Sequence, residues 1–195
     1  MIKYKIKFLF SLYFIHYTLY LIPFTLLFSS CSSQKNYIES TEKIKWYELL
    51  PHCPCENPDL NGVKLNDGWA RERYRSEMGF FQKAFAGKKD FTFFHPGSVY
   101  SFRSYPYVKT IINGKKFKSG QQCAYDKDGK LIKTGPPAGT PDKSSPAKGE
   151  NKKGLLTVNI FRVRKHVKFD SSPWKEEEWK EYHKYWPPDK GINCE

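Results

Sequence analysis

Nowhere in the 195 residues is there a serine nucleophile elbow, a glycine-rich phosphate loop or the Cys-X2-Cys spacing common at zinc sites. The enzyme classes built on those spacings are excluded, and neither a cofactor nor a bound metal is expected. Acid is scarce as well, because 20 Asp and Glu stand against 33 Lys and Arg, a formal net charge of +13. Residues 8–30 lack Asp, Glu, Lys and Arg altogether, while the rest of the chain is polar or mixed. What the sequence does have is aromatic area: Phe, Trp and Tyr make up 17% of it. That is enough to build a core and to exclude a wholly disordered chain. The length suits one ordinary domain.

Lys3, Lys5 and Lys7 precede an apolar stretch from Phe8 to Phe28, and Ser29-Ser30-Cys31 closes it. Residues 1–30 therefore read as an export signal. The stretch is also long enough to remain as a membrane-spanning anchor. In both cases the body of the protein lies outside the cytoplasm. Leu27-Phe28-Ser29-Ser30-Cys31 resembles the bacterial lipobox, with Phe28 in place of the usual Leu. The resemblance implies cleavage before Cys31 and a lipid on its thiol, so the membrane is a partner through Cys31. Ser32 in place of Asp implies a lipoprotein carried beyond an inner membrane, to an outer membrane or the cell surface. Residues 31–45 form a polar tether, and the domain is expected over residues 46–195, starting at Trp46.

With Cys31 assigned to lipid, Cys53, Cys55, Cys123 and Cys194 remain, an even number in an exported chain. Two disulfides are expected. A Cys53–Cys55 ring would be strained, so each of these pairs with Cys123 or Cys194, which leaves two connectivities. The competing arrangement, a metal held by His52, Cys53, Cys55 and a distant ligand, has poor spacing for zinc.

Spacing predicts an amphipathic helix from Trp69 to Phe85, with apolar Ala70, Tyr74, Met78, Phe81 and Phe85, a cap at Asp67 and a stop at Gly87. Its Arg71, Arg73, Arg75 and Lys83 would form a solvated face. Phe91 to Phe94 and Tyr100 to Val108 have strand composition, broken by His95-Pro96-Gly97 and Pro106. Residues 135–154 are rich in Pro, Gly, Ser and Lys and read as a flexible basic loop. Leu155 to Phe169 reads as a strand in two phases, with a bulge at Ile160-Phe161 that places His166 on a strand face. Ser172, Pro173 and Glu176 to Glu178 open a second helix whose stripe is Trp179, Tyr182, His183 and Trp186. The expected fold is α+β, a small single domain of short irregular antiparallel strands, two helices and two disulfides.

Three blocks occur in order: Cys53-Pro54-Cys55; His95-Pro96-Gly97-Ser98 with Arg103-Ser104; and Gly120-Gln121-Gln122-Cys123-Ala124-Tyr125-Asp126, running on to Thr140-Pro141-Asp142. This resembles the AMOP domain, an extracellular module of adhesion-associated proteins, over roughly residues 53–142. Ser101 or Phe102 stands where that family has a Cys before Arg-Ser, Ala124 replaces the second Cys of a pair, and Cys194 replaces a terminal pair. Such losses suit the removal of whole disulfides. The resemblance implies a disulfide-bonded interaction module, and it marks His95, Pro96, Gly97, Arg103, Gln121, Gln122, Tyr125 and Asp126 as motif residues with a possible binding role.

The expected function is a non-catalytic binding or adhesion module that meets another surface protein or a glycan, nucleic acid not being the expected partner. Two alternatives belong to other classes. Residues 109–153 hold Lys115, Lys116, Lys118, Lys143, Lys152 and Lys153 among others, and these could engage an anionic glycan or wall polymer. A cell-wall-directed hydrolase would need Cys123 as nucleophile with His95 and Asp126 as base and orienter, which a disulfide at Cys123 would abolish.

Overall fold

The spine of the protein is β5 (Lys115–Tyr125), an 11-residue strand long enough to serve two neighbours in turn. Its first half pairs antiparallel with β4 (Val108–Ile112) through the Asn113-Gly114 turn. Both turn residues have positive φ, the backbone that lets a two-residue hairpin follow the strand twist. Its second half pairs antiparallel with β3 (Tyr100–Ser104), which pairs in turn with β2 (Trp69–Arg71). The parallel strand β1 (Ile38–Glu39) lies beside β4, and β6 (Pro141–Asp142) adds to the middle of β5. A separate antiparallel pair joins β7 (Ala147–Glu150) to β8 (Leu156–Val158). The helices are α1 (Phe80–Ala86), α2 (Phe91–Phe94), α3 (Ile160–Phe169) and α4 (Glu178–Tyr185). This computed structural model describes residues 37–39, 45–86, 90–170 and 178–194, within one compact unit, Tyr37–Glu195. The fold is α+β as expected, with one parallel edge and, among the described residues, four α-helices where two were foreseen.

Strand alternation divides β3 and β5 into two chemically distinct faces. Phe102, Cys123 and Tyr125 join Trp69, Cys53 and Leu131 in the main apolar cluster. Ser101, Arg103 and Gln122 belong to the other face and are as deeply buried. Two smaller apolar clusters, one around Trp46, Leu50 and Ile112 and one around Ala70, Ala147 and Leu156, complete the interior.

The cysteines pair as Cys53–Cys123 and Cys55–Cys194, one of the two arrangements left open. Adjacent Cys53 and Cys55 thereby staple the β5 spine and the C-terminal segment to one point. Ser101 and Ala124 stand opposite each other in the β3–β5 register, both fully buried. The two positions that the resemblance gives to cysteine are therefore neighbours in space, and of the two candidates it is Ser101 that faces Ala124.

Five expectations are corrected. Residues 69–85 are not one helix: Trp69–Arg71 is strand, Arg75–Glu77 a 3₁₀ turn, and only Phe80–Ala86 is α-helical. Pairing decides this, since Glu72 N–H donates to the Ser101 carbonyl and Arg71 N–H to that of Gly154. The arginines are tied down instead of solvated, Arg71 by Glu77 and Arg73 by the carbonyls of Leu156 and Glu77. Phe91–Phe94 is helical because the Asp90 carboxylate caps Thr92 N–H at 3.0 Å. The phase slip at Ile160-Phe161 is a strand-to-helix junction, where Asn159 accepts from the N–H groups of Phe161 and Arg162; His166 is therefore helical. Residues 135–154 are not a flexible loop either. Ala138 to Pro141 runs against β5 so closely that a Cβ on Gly139 would lie 2.4 Å from the Gln122 carbonyl oxygen, and Thr140 to Asp142 and Ser144 to Ala147 are buried.

The start of the second expected helix, the signal segment and Cys31 lie outside the described residues. No helix among the described residues is long and apolar enough to cross a membrane.

Removing either disulfide by paired Cys→Ser substitution should cost about 4–5 kcal/mol in the chain-entropy account, since the cross-links span 70 and 139 residues. Chemical unfolding of the two double variants measures this. Alkylation of exported protein without reduction should label none of the four cysteines.

Candidate functional site

The polar face of β3 and β5 builds a continuous buried hydrogen-bonded network. Arg103 is its centre, donating through Nε to Glu72 Oε1 at 2.6 Å and through Nη1 to Asp142 Oδ2. Glu72 Oε2 also accepts from Ser101 Oγ and from Gln122 Nε2, both at 2.6 Å. Gln122 then presents Oε1 to His95 Nε2 at 2.9 Å, and His95 Nδ1 donates to the Ala138 carbonyl at 3.0 Å. Five separate segments meet here, and the side chains of Arg103 and Asp142 are only 7% and 3% exposed.

The electrostatics follow from burial opposed by pairing. Burial alone would raise the Glu72 carboxyl, but the Arg103 charge and the Ser101 hydroxyl overcome it and hold it at about 2. Burial pushes His95 down to about 4, Glu72 pulling upward and Arg103 downward. The cost of burying the charge leaves His95 neutral at pH 7. Both partners are acceptor oxygens, so the neutral ring donates through Nδ1 alone, to the Ala138 carbonyl, with Nε2 packed against the Gln122 amide.

The motif residues divide into four groups. His95, Arg103 and Gln122 converge in the network. Gln121 donates to the backbone carbonyl of Gln122, and the Tyr125 hydroxyl reaches the Pro54 carbonyl at 3.0 Å, so both brace the chain near Cys53 and Cys55. Pro96 and Gly97 form the exposed turn after His95, where Gly97 has φ 94°. Asp126 lies apart from His95, accepting the N–H groups of Asp128 and Lys130 at 2.9 Å in its own turn. Cys123, bonded to Cys53, offers no thiolate, so the nucleophile arrangement does not form.

Glu72, His166 and Asp170 carried no signal in the sequence. Glu72 is one acid within an arginine-rich stretch, and only the fold turns it inward. Asp142 was visible as the end of a motif block, without its role. Asp170 ends α3 and accepts from the N–H groups of Lys143 and Ser144 and from Trp186 Nε1.

On the surface, a groove of about 900 Å³ is lined by Asn57, Asp59, Lys64, Arg71, Lys127, Asp128, Lys152 and Lys153 among others. Its charges are mixed, and Lys64 and Arg71 are already paired with Glu150 and Glu77. Further lysines of the basic segment are engaged elsewhere: Lys116 and Lys118 lie over Tyr37 and Tyr107, and Lys143 over Trp46 and Trp186.

A family model described as the AMOP domain matches residues 29–195. No solved structure matches the chain. The match extends well beyond the motif blocks at residues 53–142 and covers most of the sequence, so the chain belongs to the AMOP family, an extracellular adhesion-associated module.

Arg103→Met should leave two buried carboxylates without their partner and destabilise the domain by about 3–5 kcal/mol, read by urea unfolding. The network also sets a pH dependence. His95 takes a proton in the unfolded chain near 6.5 but in the folded chain only near 4. Its contribution is therefore complete above pH 6.5 and is lost as pH falls toward 4, on the order of 3 kcal/mol in all. Below about 4.5 the depressed Glu72 adds a further loss of the same sign. Unfolding measured across this range should show the decline, and His95→Gln should flatten its upper part.

Proposed function

We propose that this AMOP-family chain is a lipid-anchored, non-catalytic binding module that holds another surface protein or a glycan outside the cytoplasmic compartment. The observation that carries the reading is the fate of the polar motif residues. His95, Arg103 and Gln122 are spent on one another and on Glu72 inside the protein, at exposures of 6% or less. Catalysis needs such groups beside a cleft that admits substrate. Here they shape a rigid body, and recognition falls to its surface.

That surface favours contact by shape and apolar area over polyanion capture. Phe80, Phe161, Tyr185 and Ile192 offer exposed apolar area for such contact. Within residues 109–153, Lys116, Lys118 and Lys143 lie over separate aromatic rings and so are divided among different sites. Lys127, Lys152 and Lys153 around the groove are the best remaining case for an anionic ligand, and Asp59 and Asp128 dilute their field.

Anchoring at Cys31 predicts that Cys31→Ala leaves an unprocessed precursor, while the normal product carries lipid mass on residue 31 as its first residue. Mass spectrometry of the mature N-terminus reads this directly. Binding to intact surface preparations should change little between about 50 and 200 mM salt, because apolar burial is not screened. A loss of about a hundredfold or more over that range, reproduced by neutralising Lys127, Lys152 and Lys153, would transfer the function to the anionic-polymer reading.

A further inference from the structure

We propose that Asp142, His166 and Asp170 form a site for one divalent cation of the zinc class, which pins α3 against the β5–β6 sheet. Asp142 closes β6, His166 lies in the last turn of α3 and Asp170 follows that turn. One ligand atom from each gathers within 4.8 Å of the others.

The spacing decides between a proton and a metal ion. His166 Nδ1 lies 3.4 Å from Asp142 Oδ1 and 3.6 Å from Asp170 Oδ2. A hydrogen bond would bring these atoms to roughly 2.7–3.2 Å. Tetrahedral coordination with bonds of about 2.0–2.2 Å sets ligand atoms roughly 3.3–3.6 Å apart, which both His166 distances match. Nδ1 is buried and has no hydrogen-bond partner, although two carboxylates face it. A protonated ring would close on one of them; a ring that shares a cation with them would not.

Charge and support agree with this. The buried carboxylates Glu72, Asp142 and Asp170 have only the Arg103 guanidinium among them, a deficit of two positive charges that one divalent ion makes good. Lys143 feels Asp170 but sits over the Trp46 and Trp186 rings. Each acid is held by outer contacts, as metal ligands commonly are. Arg103 fixes Asp142 through Oδ2 and leaves Oδ1 toward His166. Asp170 is fixed by Lys143 N–H, Ser144 N–H and Trp186 Nε1 at 2.7, 2.8 and 3.1 Å. An imidazole with two carboxylates suits zinc, cobalt, nickel or manganese better than calcium or magnesium, which prefer oxygen throughout. Water would complete the coordination, and the His166 side chain, 21% exposed, gives a way in.

The test uses exported protein stripped with a chelator and titrated separately with zinc(II), cobalt(II) and calcium(II). Zinc and cobalt should saturate at one equivalent per chain and raise the thermal midpoint, cobalt with the intense visible bands of a low-coordinate ion; calcium should do neither. His166→Leu should weaken zinc binding tenfold or more, whereas His52→Ala, at the exposed His52–Asp189 pair, should leave it unchanged. Should His166→Leu fail to fold, nitrogen NMR of the wild-type chain decides, because zinc must shift His166 Nδ1. Absence of saturable binding, binding abolished by His52→Ala, or a His166 ring that ignores zinc and simply titrates with protons would overturn the site.

Discussion

Arg103 is the residue on which the rest of the interior depends. A guanidinium buried under a sheet is tolerable only if its donors are met by charge at hydrogen-bond distance, and two acids from different parts of the chain are required to do it. Glu72 arrives on the segment after β2, and Asp142 arrives on β6. Satisfying Arg103 therefore brings both segments to the β3–β5 sheet at the same time. Glu72 then orders Ser101 and Gln122, Gln122 orders His95, and His95 holds the 138–141 segment through the Ala138 carbonyl. Buried ion pairs add less to net stability than their short distances suggest, since desolvation offsets most of the attraction. Their stronger effect here is on specificity, because any other packing of these segments would leave a charge unpaired.

The apolar material is divided among several small clusters, which explains why cross-links matter. Cys53 and Cys55 attach the β5 spine and the C-terminal segment to a single short stretch, so two bonds close the domain around its aromatic core. Ser101 and Ala124, at the two positions that the family resemblance gives to cysteine, stand opposite each other on β3 and β5. The buried serine hydroxyl is not idle there, since it donates to Glu72 and receives from the Gln122 amide.

For function, the division between inside and outside is the main lesson. A histidine, a glutamine and an arginine in short motifs resemble a catalytic inventory when read along the chain. Folded, they face one another and leave the surface to exposed aromatic side chains and dispersed lysines. An adhesion module gains from this arrangement, because a rigid polar interior can present a variable surface without moving.

Several features were determined by the sequence alone. Four cysteines in an exported chain implied two disulfides and left two pairings. The motif order identified the family, strand composition placed β3, and the Trp179 to Trp186 stripe placed α4. These depend on local chemistry or on counting, which the chain carries within itself. Tertiary structure decided the rest. The 69–85 segment has helical spacing, yet β2 forms because β3 offers it a ladder and Arg103 requires Glu72. The 135–154 segment has loop composition, yet it is buried because Gly139 lets it lie against β5. The shift from strand to helix at Asn159 looked like a bulge, because a cap and a bulge leave the same slip in phase. In each case the energy that chooses between conformations comes from a partner well separated in the sequence, or from a cap that periodicity does not register, and no local pattern contains it.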